Sequence, residues 1–589
     1  MSGAALGIDR SILGQPWHWR RASADMGGDG LAPDDLVTQL LLARGVARED
    51  IDRQRAPTLR GFMPDPSIFQ DMDAAATRLA DAVEAKEAIT IFGDYDVDGA
   101  TSAALLVRLL RALDVPVGAY IPDRLMEGYG PSGAALVKIG EAGSRLVVTV
   151  DCGAQAFDAI AEAKAAGVEV IVVDHHQCAT TLPQAFAVVN PNRLDEAPDA
   201  AIHGNLAAVG VAFLLGAALL RTLRARGFFG SRPEPALIEL LDLVALGTVA
   251  DVARLTGFNR ALVTQGLKVM ARRGNIGLSA LMDAARLTKP PGASDMGFAL
   301  GPRINAGGRV GKSDLGVRLL TTNDPQEAAD IAAELNRLNE ERRAIEAAVL
   351  EAAIEASAVC ANAPVAIVAA PGWHPGVIGI VAGRLKEKLH RPAIVIALDE
   401  AGIGKGSGRS IGGVDLGAAI LAAKETGLLV AGGGHAMAAG LTVAADRIDA
   451  LGAFLNDRLA ADVERASGDK SLLIDAVLAP KGINPLWCEA IESAGPYGAG
   501  WPAPRVATGP VRIVESGIVG TDHVRLIVSG DDGARFKAIA FRSAETELGQ
   551  ALLHARGGRR LWLAGRAKRD DWGSRPAAEL HLEDAAWAD

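Results

Sequence analysis

Cysteine is scarce: four stand in 589 residues, and Cys152, Cys178, Cys360 and Cys488 are too scattered to form a CxxC pair. That excludes a disulfide framework and a thiolate zinc centre, and fits a reducing cytoplasm. Positive charge is also short. Sixty Lys and Arg against 71 Asp and Glu leave a formal charge of -11, so no basic coat exists, although local cationic groups and bound metal ions can still meet phosphates. The N-terminal stretch has no apolar h-region, which argues against a secretory leader. The longest apolar run, Leu206 to Leu220, has fifteen residues, fewer than the roughly 20 that cross a bilayer. It reads as a buried core helix, and no membrane role follows. No GxxxxGK[ST] loop occurs, which removes a nucleotide-hydrolysing motor and makes ATP an unexpected cofactor. There is no fixed-period repeat and no long low-complexity tract.

What is present is an ordinary globular composition, 49% hydrophobic and 22% charged, in a chain long enough for several domains. Residues 1–75 open on the Gly-rich stretch Met26-Gly-Gly-Asp-Gly30 and a Pro-punctuated segment, Pro57 to Pro66, and read as an appended, partly irregular unit. Over 76–322 short β-branched runs alternate with Ala/Leu-rich stretches, the pattern of a parallel sheet covered by helices. Asn323-Asp-Pro325 starts a helix, and residues 326 to 358 hold no Gly or Pro, so 323–360 is read as one long connecting helix. A second, smaller α/β unit follows over 361–466. Ser467-Gly-Asp-Lys470 is a linker, and 467–589 shows short alternating strands between Gly/Asp turns, consistent with a small β-barrel. The fold class is therefore α/β, two α/β units joined by a long helix, with a C-terminal barrel.

The most informative segment is Ile89-Thr-Ile-Phe-Gly-Asp94-Tyr-Asp96-Val-Asp98-Gly, a buried-strand pattern that ends in three alternate acids. Crowded carboxylates repel unless a cation balances them, and hard oxygen ligands suit Mg²⁺ or Mn²⁺. Alone, the string could equally be a calcium loop or a helix cap. The construction recurs, however: Leu146 to Val150 ends in Asp151, and Val168 to Val173 ends in Asp174-His175-His176. In an open parallel sheet the carboxyl ends of strands form the ligand face, so distant acids can converge. The apolar segment Leu243 to Ala250 ends likewise, in Asp251. Such a set could hold two cations about 3.5–4 Å apart and favour hydrolysis at phosphorus.

Further along, Gly301-Pro-Arg303-Ile-Asn305-Ala-Gly-Gly308-Arg309 offers two guanidinium groups in what reads as a flexible Gly-rich loop, suited to phosphate. Gly406-Ser407-Gly-Arg409-Ser410 and Gly432-Gly433-Gly434-His435 supply hydroxyls, backbone N–H groups and one cation. Surface turns and close helix packing would give the same spacing. Arg556 through Trp562, Arg566, Lys568, Arg569, Trp572 and Arg575 interleave basic and aromatic residues, as single-strand binding requires, or as exposed barrel charges around core tryptophans would.

In their order and context, Asp94, Asp96, Asp98, Asp151, Asp174-His175-His176 and Asp251 resemble the motifs of the DHH phosphoesterase family. That resemblance implies Asp96, Asp98, Asp151, His175 and Asp251 as direct ligands of two Mn²⁺ or Mg²⁺ ions. It makes Asp94, Asp174 and His176 ligands or close supporters, His176 near the scissile phosphate. Asp251-Val-Ala-Arg254-Leu departs from the family, where Pro usually precedes Leu, and leaves the following loop undetermined. The resemblance also extends to a substrate-binding DHHA1 domain, with Ser407, Arg409, Ser410, Gly433, Gly434 and His435 on DNA or phosphate and with Trp373 and His374, in its strand-to-helix motif, lining the same DNA-binding groove. Arg303, Asn305 and Arg309 match a DNA-backbone pattern of the exonuclease branch, and Gly495 to Pro504 matches a lead-in to an OB-fold. The implied function is a single-stranded-DNA-specific exonuclease acting 5′ to 3′, releasing 5′-mononucleotides in recombination and repair. It would be a cytoplasmic monomer, with a single-strand-binding protein and a RecQ-type helicase as candidate partners. The same acids also serve inorganic pyrophosphatases and short-oligonucleotide or cyclic-dinucleotide phosphodiesterases. A replication factor that holds single strands without cutting them would lack the acids that this chain retains.

Overall fold

The computed structural model describes residues 4–20, 33–123, 127–128, 130–468, 471–555, 558–570 and 576–588. The Met26–Gly30 stretch, Asp469 and Lys470 of the linker, and Arg556, Trp572 and Arg575 lie outside the described residues.

The first sheet holds β1 (Ile89–Gly93), β2 (Val117–Tyr120), β3 (Leu146–Val150), β4 (Glu169–Val173) and β5 (Ala187–Val189), all parallel, in the order β2-β1-β3-β4-β5. Chain direction across the sheet reverses between β1 and β3. Loops on either side of such a reversal diverge and leave a crevice at the carboxyl edge. Helix α1 (Val97–Ala112) follows β1 and is capped by Asp96, whose carboxylate accepts the Gly99 N–H at 3.0 Å. Helix α2 (Ala208–Ala225) carries the long apolar run. By length and composition it is apolar enough to cross a membrane, but thirteen of its residues are buried in the core, as in a core helix of a globular protein.

Helix α3 (Leu241–Ala250) crosses α1 closely because Gly247 faces it: a Cβ there would sit 2.3 Å from Thr101 Oγ1. Helix α4 (Gly257–Met270) follows. The segment read as a flexible Gly-rich loop is instead helix α5 (Gly301–Val310), entered through a π-helical turn, Met296–Leu300. Its glycines serve close packing rather than mobility. A Cβ on Gly308 would lie 2.8 Å from the Tyr95 carbonyl oxygen, so only glycine lets this helix lie against the acidic loop. Helix α6 (Pro325–Ala356) is the long connector, 32 residues and about 48 Å, started by Asp324, which accepts the Gln326 N–H at 2.8 Å.

The second sheet is mixed: β6 (Ala366–Pro371) and β7 (Ala393–Leu398) are parallel, whereas β8 (Ile403–Arg409), β9 (Ala431–His435) and β10 (Ala438–Ala444) run antiparallel in the order β9-β10-β8-β7-β6. Beyond it stand β11 (Ala476–Leu478), β12 (Val506–Val519), β13 (His523–Gly530), β14 (Arg535–Ala540), β15 (Leu561–Asp570) and β16 (Ala577–Trp587). Strand β12 pairs with both β13 and β15, which closes five strands into a barrel, and β11 adds in parallel beside β12.

The N-terminal segment splices the barrel to the first unit. In the helix Pro33–Ala43, Leu36 and Leu40 enter the barrel core while Val37 and Leu41 enter the core beneath the parallel sheet. Trp17–Trp19 pairs with Leu472–Ile474. Asp475 accepts from Arg20 Nε at 2.8 Å, from Arg44 Nη2 at 3.0 Å and from the Arg505 N–H at 2.9 Å. Arg260 on α4 is fully buried and donates to the carbonyls of Ala494 (2.8 Å), Gly495 (2.5 Å) and Pro496 (3.1 Å). The guanidinium carbons of Arg44 and Arg260 both lie 5.0 Å from the Trp501 ring centroid. Removing Arg260 would strand three carbonyls in a largely buried joint, so Arg260→Ala should cost about 3–5 kcal/mol. Urea titration of that variant is expected to show the joint opening before the core, with protease cleavage between residues 494 and 504 under native conditions. A single unshifted transition would remove Arg260 from this role.

Candidate active site at the carboxyl edge of the parallel sheet

The register of the sheet dictates where the acids fall. Gly93, Val150 and Val173 are aligned partners on β1, β3 and β4, so the next residues, Asp94, Asp151 and Asp174, emerge side by side at one edge. Asp151 takes a left-handed backbone, φ 60°, a conformation non-glycine residues adopt at some cost and often at working sites. Asp98, on the first turn of α1, turns inward. Its two oxygens accept the Ala208 N–H at 2.7 Å and the Val209 N–H at 3.0 Å, and so rest on the positive end of α2. Asp251 arrives from elsewhere, at the carboxyl end of α3. A helix disfavours an acid at that end, which marks Asp251 as placed for a reason other than helix stability.

Asp174 acts as a clamp. It accepts the backbone N–H groups of His175 (2.7 Å), His176 (3.1 Å) and Ala154 (2.9 Å), and its Oδ1 lies 2.7 Å from His176 Nδ1. Burial alone would raise its pKa, yet the His176 contact and these donors hold it down to about 2. The same pairing overrides the burial of His176 and lifts that imidazole to about 9, so it is charged at neutral pH. His175 has no such partner. Burial and the neighbouring His176 charge push it down to about 4, leaving a neutral ring with Nε2 3.2 Å from Asp151 Oδ1 and 3.8 Å from Asp98 Oδ2, and Nδ1 3.8 Å from Asp251 Oδ2. Two asparagines that sequence reasoning passed over fix these backbones: Asn192 donates to the His175 carbonyl at 2.6 Å and Asn190 to the His176 carbonyl at 2.9 Å. The signal was available as Asn-Pro-Asn directly after β5.

Burial, then the neighbouring carboxylates, raises Asp98 and Asp151 well above the usual range. Burial and Asp96 bring Asp251 to about 7. Potential ligand atoms of Asp94, Asp96 and Asp151, of Asp98, His175 and Asp251, and of Asp151, His175 and His176 lie within 4.8 Å of one another in each set. The buried His175 Nε2 has no hydrogen-bond partner. Hard oxygens and one neutral imidazole, that of His175, form a donor set that fits divalent Mg²⁺ or Mn²⁺.

The facing wall comes from the second sheet. A crevice of about 690 Å³ is lined by Asp94, Asp96, Asp151, His176 and Asp251, by Arg309 of α5, and by Lys405, Ser407, Arg409 and Gly433 of the second sheet. Lys405, Ser407 and Arg409 alternate along β8 and therefore share one face. Lys405 was missed from sequence, although this period of two would have found it. Ser410 falls on the opposite side: it is buried and donates to the Val414 carbonyl at 2.8 Å. An adjoining cavity of about 520 Å³ is bounded by Asp174, His176, Gly434 and His435. Arg309 donates to the Gly376 carbonyl at 3.0 Å, and His374 Nδ1 accepts the Gly376 N–H at 3.0 Å, so this loop ties α5 to the second sheet. Arg303 turns to the Ala299 carbonyl (2.7 Å) and Asn336 (3.0 Å), Trp373 packs on the core between α6 and the second sheet, and Asn305 lies outside both linings.

Comparison with known proteins adds to this geometry. Residues 88–248 match the DHH family, N-terminal domain, residues 362–461 the DHHA1 domain, and residues 474–584 the RecJ OB domain. The single-stranded-DNA-specific exonuclease RecJ of Dickeya dadantii is 39% identical over 84% of this chain and 86% of its own length. That of Escherichia coli is 36% identical over the same shares. The crystal structure of RecJ in complex with Mn²⁺ from Thermus thermophilus superimposes with a TM-score of 0.75 at 29% identity, covering 93% of this chain and 75% of that one.

The crowding of carboxylates yields a stability test. In EDTA, Asp151→Asn should melt higher than the natural protein because it relieves like-charge repulsion. Millimolar Mn²⁺ should raise the natural protein's Tm by several degrees and the variant's far less. Equal responses to Mn²⁺ in differential scanning fluorimetry would take Asp151 out of the cation site.

Proposed function

This chain belongs to the RecJ family of single-stranded-DNA-specific exonucleases, and from that membership we propose that it cuts nucleotides from the 5′ end of single-stranded DNA in a divalent-metal-dependent reaction. The observation that carries this reading is the single crevice in which an acidic wall faces a cationic strand. One side can hold cations and the other can grip phosphates, an arrangement that serves a polyanionic substrate. Asp96, Asp98, Asp151, His175 and Asp251 would hold two Mn²⁺ or Mg²⁺ ions, with Asp94 beside them. When bound, these ions supply the Lewis acidity and activated water that phosphodiester hydrolysis needs.

The chain's own residues do the rest. Asp174 fixes His176 as an imidazolium facing the crevice, where its charge stabilises negative charge developing on the scissile phosphate. Arg409, Lys405 and Arg309 neutralise the adjacent phosphates, with the Ser407 hydroxyl and the Gly433, Gly434 and His435 hairpin as further donors. Asn190 and Asn192 position both histidines. In this reading residues 76–322 carry the chemistry, 361–466 the phosphate grip and 467–589 the single strand. Release of 5′-mononucleotides, a cytoplasmic monomer, a role in recombination and repair, and partnership with a single-strand-binding protein and a RecQ-type helicase belong to the same proposal. Relatives across most of the chain are named as single-strand exonucleases, and every acid is retained. Both facts disfavour the dinucleotide phosphodiesterase and inactive DNA-holding alternatives.

With Mn²⁺ and end-labelled substrates, the protein is expected to release mononucleotides from the 5′ end of single strands and to leave duplex, dinucleotide and pyrophosphate largely intact. Asp151→Ala should lower kcat by at least about a thousandfold. Arg409→Ala should mainly raise KM, by about tenfold or more. Preferential cleavage of dinucleotide or pyrophosphate, or 3′-end release, would overturn the reading.

A further inference from the structure

The connecting helix α6 passes between two cores. Ile331, Leu335 and Leu338 sit in the core beneath the parallel sheet, whereas Val349 and Ala353 sit in a second core with helix α7 (Ile378–Leu389) and the second sheet. Where α6 crosses from one to the other its buried stripe turns polar, at Asn339, Arg342 and Glu346. Glu346 is 6% exposed. It accepts from Arg342 Nη1 at 2.7 Å and from Arg384 Nε, on α7, at 2.6 Å, and Arg342 also donates to Asn339 Oδ1 at 3.0 Å. A buried carboxylate between guanidiniums adds little stability over apolar residues of similar volume, and its best-attested use is to fix one register. The register fixed here is the seat of α7 on α6.

What α7 carries gives that seat a consequence. Ile378 and Gly379, on its first turn, line the crevice together with Ser407 and Arg409. A Cβ on Gly379 would lie 3.1 Å from Arg409 Nη2 and 3.1 Å from Ser407 Oγ, and one on Gly383 would lie 4.0 Å from Arg409 Cγ. The Arg409 side chain therefore lies along the glycine face of α7. Its Nη1 donates to Ser407 Oγ at 3.1 Å and to the Gly408 carbonyl at 2.9 Å. Just before α7 comes the Gly376 loop that Arg309 holds, so the helix is fixed at two places, once from α5 and once from α6.

We propose that Glu346 is a positioning residue for the phosphate grip: by holding Arg384 it seats α7, and α7 sets where the Arg409 guanidinium stands in the crevice. Glu346 acts through Arg384 and α7 rather than on the substrate. The inference rests on the reading of Arg409 as a phosphate-binding group. With the seat loosened, Arg409 samples orientations that must be given up again on binding, which costs affinity rather than turnover.

The Arg384 side chain is half exposed, so Arg384→Gln tests the anchor with little threat to folding. On the full chain with Mn²⁺ and a 5′-phosphorylated single strand, Arg384→Gln should raise KM about fivefold and change kcat less than about twofold, the loss of about tenfold in Arg409→Ala setting the ceiling. Arg384→Lys keeps the charge and should recover most of that loss. Glu346→Gln should give the same split together with a lower Tm, because Arg342 is left buried beside a neutral amide. A general structural role would lower kcat and Tm in every variant and spare KM. Strand affinity, measured by anisotropy in EDTA, decides the route: in an Arg409→Ala background, Arg384→Gln should weaken binding less than about twofold. If the natural protein binds strands but cuts none, the exonuclease reading fails while this cycle still decides the anchor. Equal losses with and without Arg409, or unchanged affinity in Arg384→Gln, would overturn it.

Discussion

Mutual repulsion among carboxylates held out of water is the constraint on which the architecture turns. Asp94, Asp98, Asp151 and Asp174 are each buried, and charges so placed are tolerated only with partners or neutralising cations. The fold answers each acid differently. Asp174 is satisfied by backbone donors and the His176 ring, whereas Asp98, despite two backbone donors at the amino end of α2, shares with Asp151 and Asp251 a raised proton affinity. This division separates acids that position from acids available to a metal ion. It also sets the two histidines apart, one neutral and one charged, although they are neighbours in sequence.

The rest of the molecule brings cationic and hydroxyl groups to that edge and holds them there. Helix α6 carries the second sheet across the crevice, Arg309 bridges to the Gly376 loop, and β8 presents alternate side chains toward the acids. The barrel is fixed on the other flank by Trp501 between two arginines and by Asp475. Arg260 gives its hydrogen bonds to main-chain carbonyls, so the joint depends on backbone geometry rather than on a matching acid. A rigid joint matters if a strand is to thread between catalytic edge and barrel, because each added degree of freedom would be lost on binding.

Local chemistry made much of this legible in advance. Strand-then-acid repeats located the edge where the carboxylates converge, Asp324-Pro325 started the connecting helix, and the motif order identified the family. Local chemistry failed where small residues have two uses. Gly301–Arg309 reads as a loop because glycine is permissive, yet its glycines are required for close packing against Tyr95, a contact between residues more than two hundred positions apart. Lys405 was hidden by the conspicuous glycines around it, and Asn190 and Asn192 by resembling an ordinary turn.

By itself the sequence determined which chemical groups are available: carboxylates and imidazoles at strand ends, and cationic and hydroxyl side chains in a second unit. Which groups do which work was decided only by tertiary structure. Desolvation, sheet register and the direction of helix termini depend on neighbours distant in the chain. Those neighbours alone separate Asp174 from Asp151, His175 from His176, and the Ser407 that faces the crevice from the Ser410 that closes a turn.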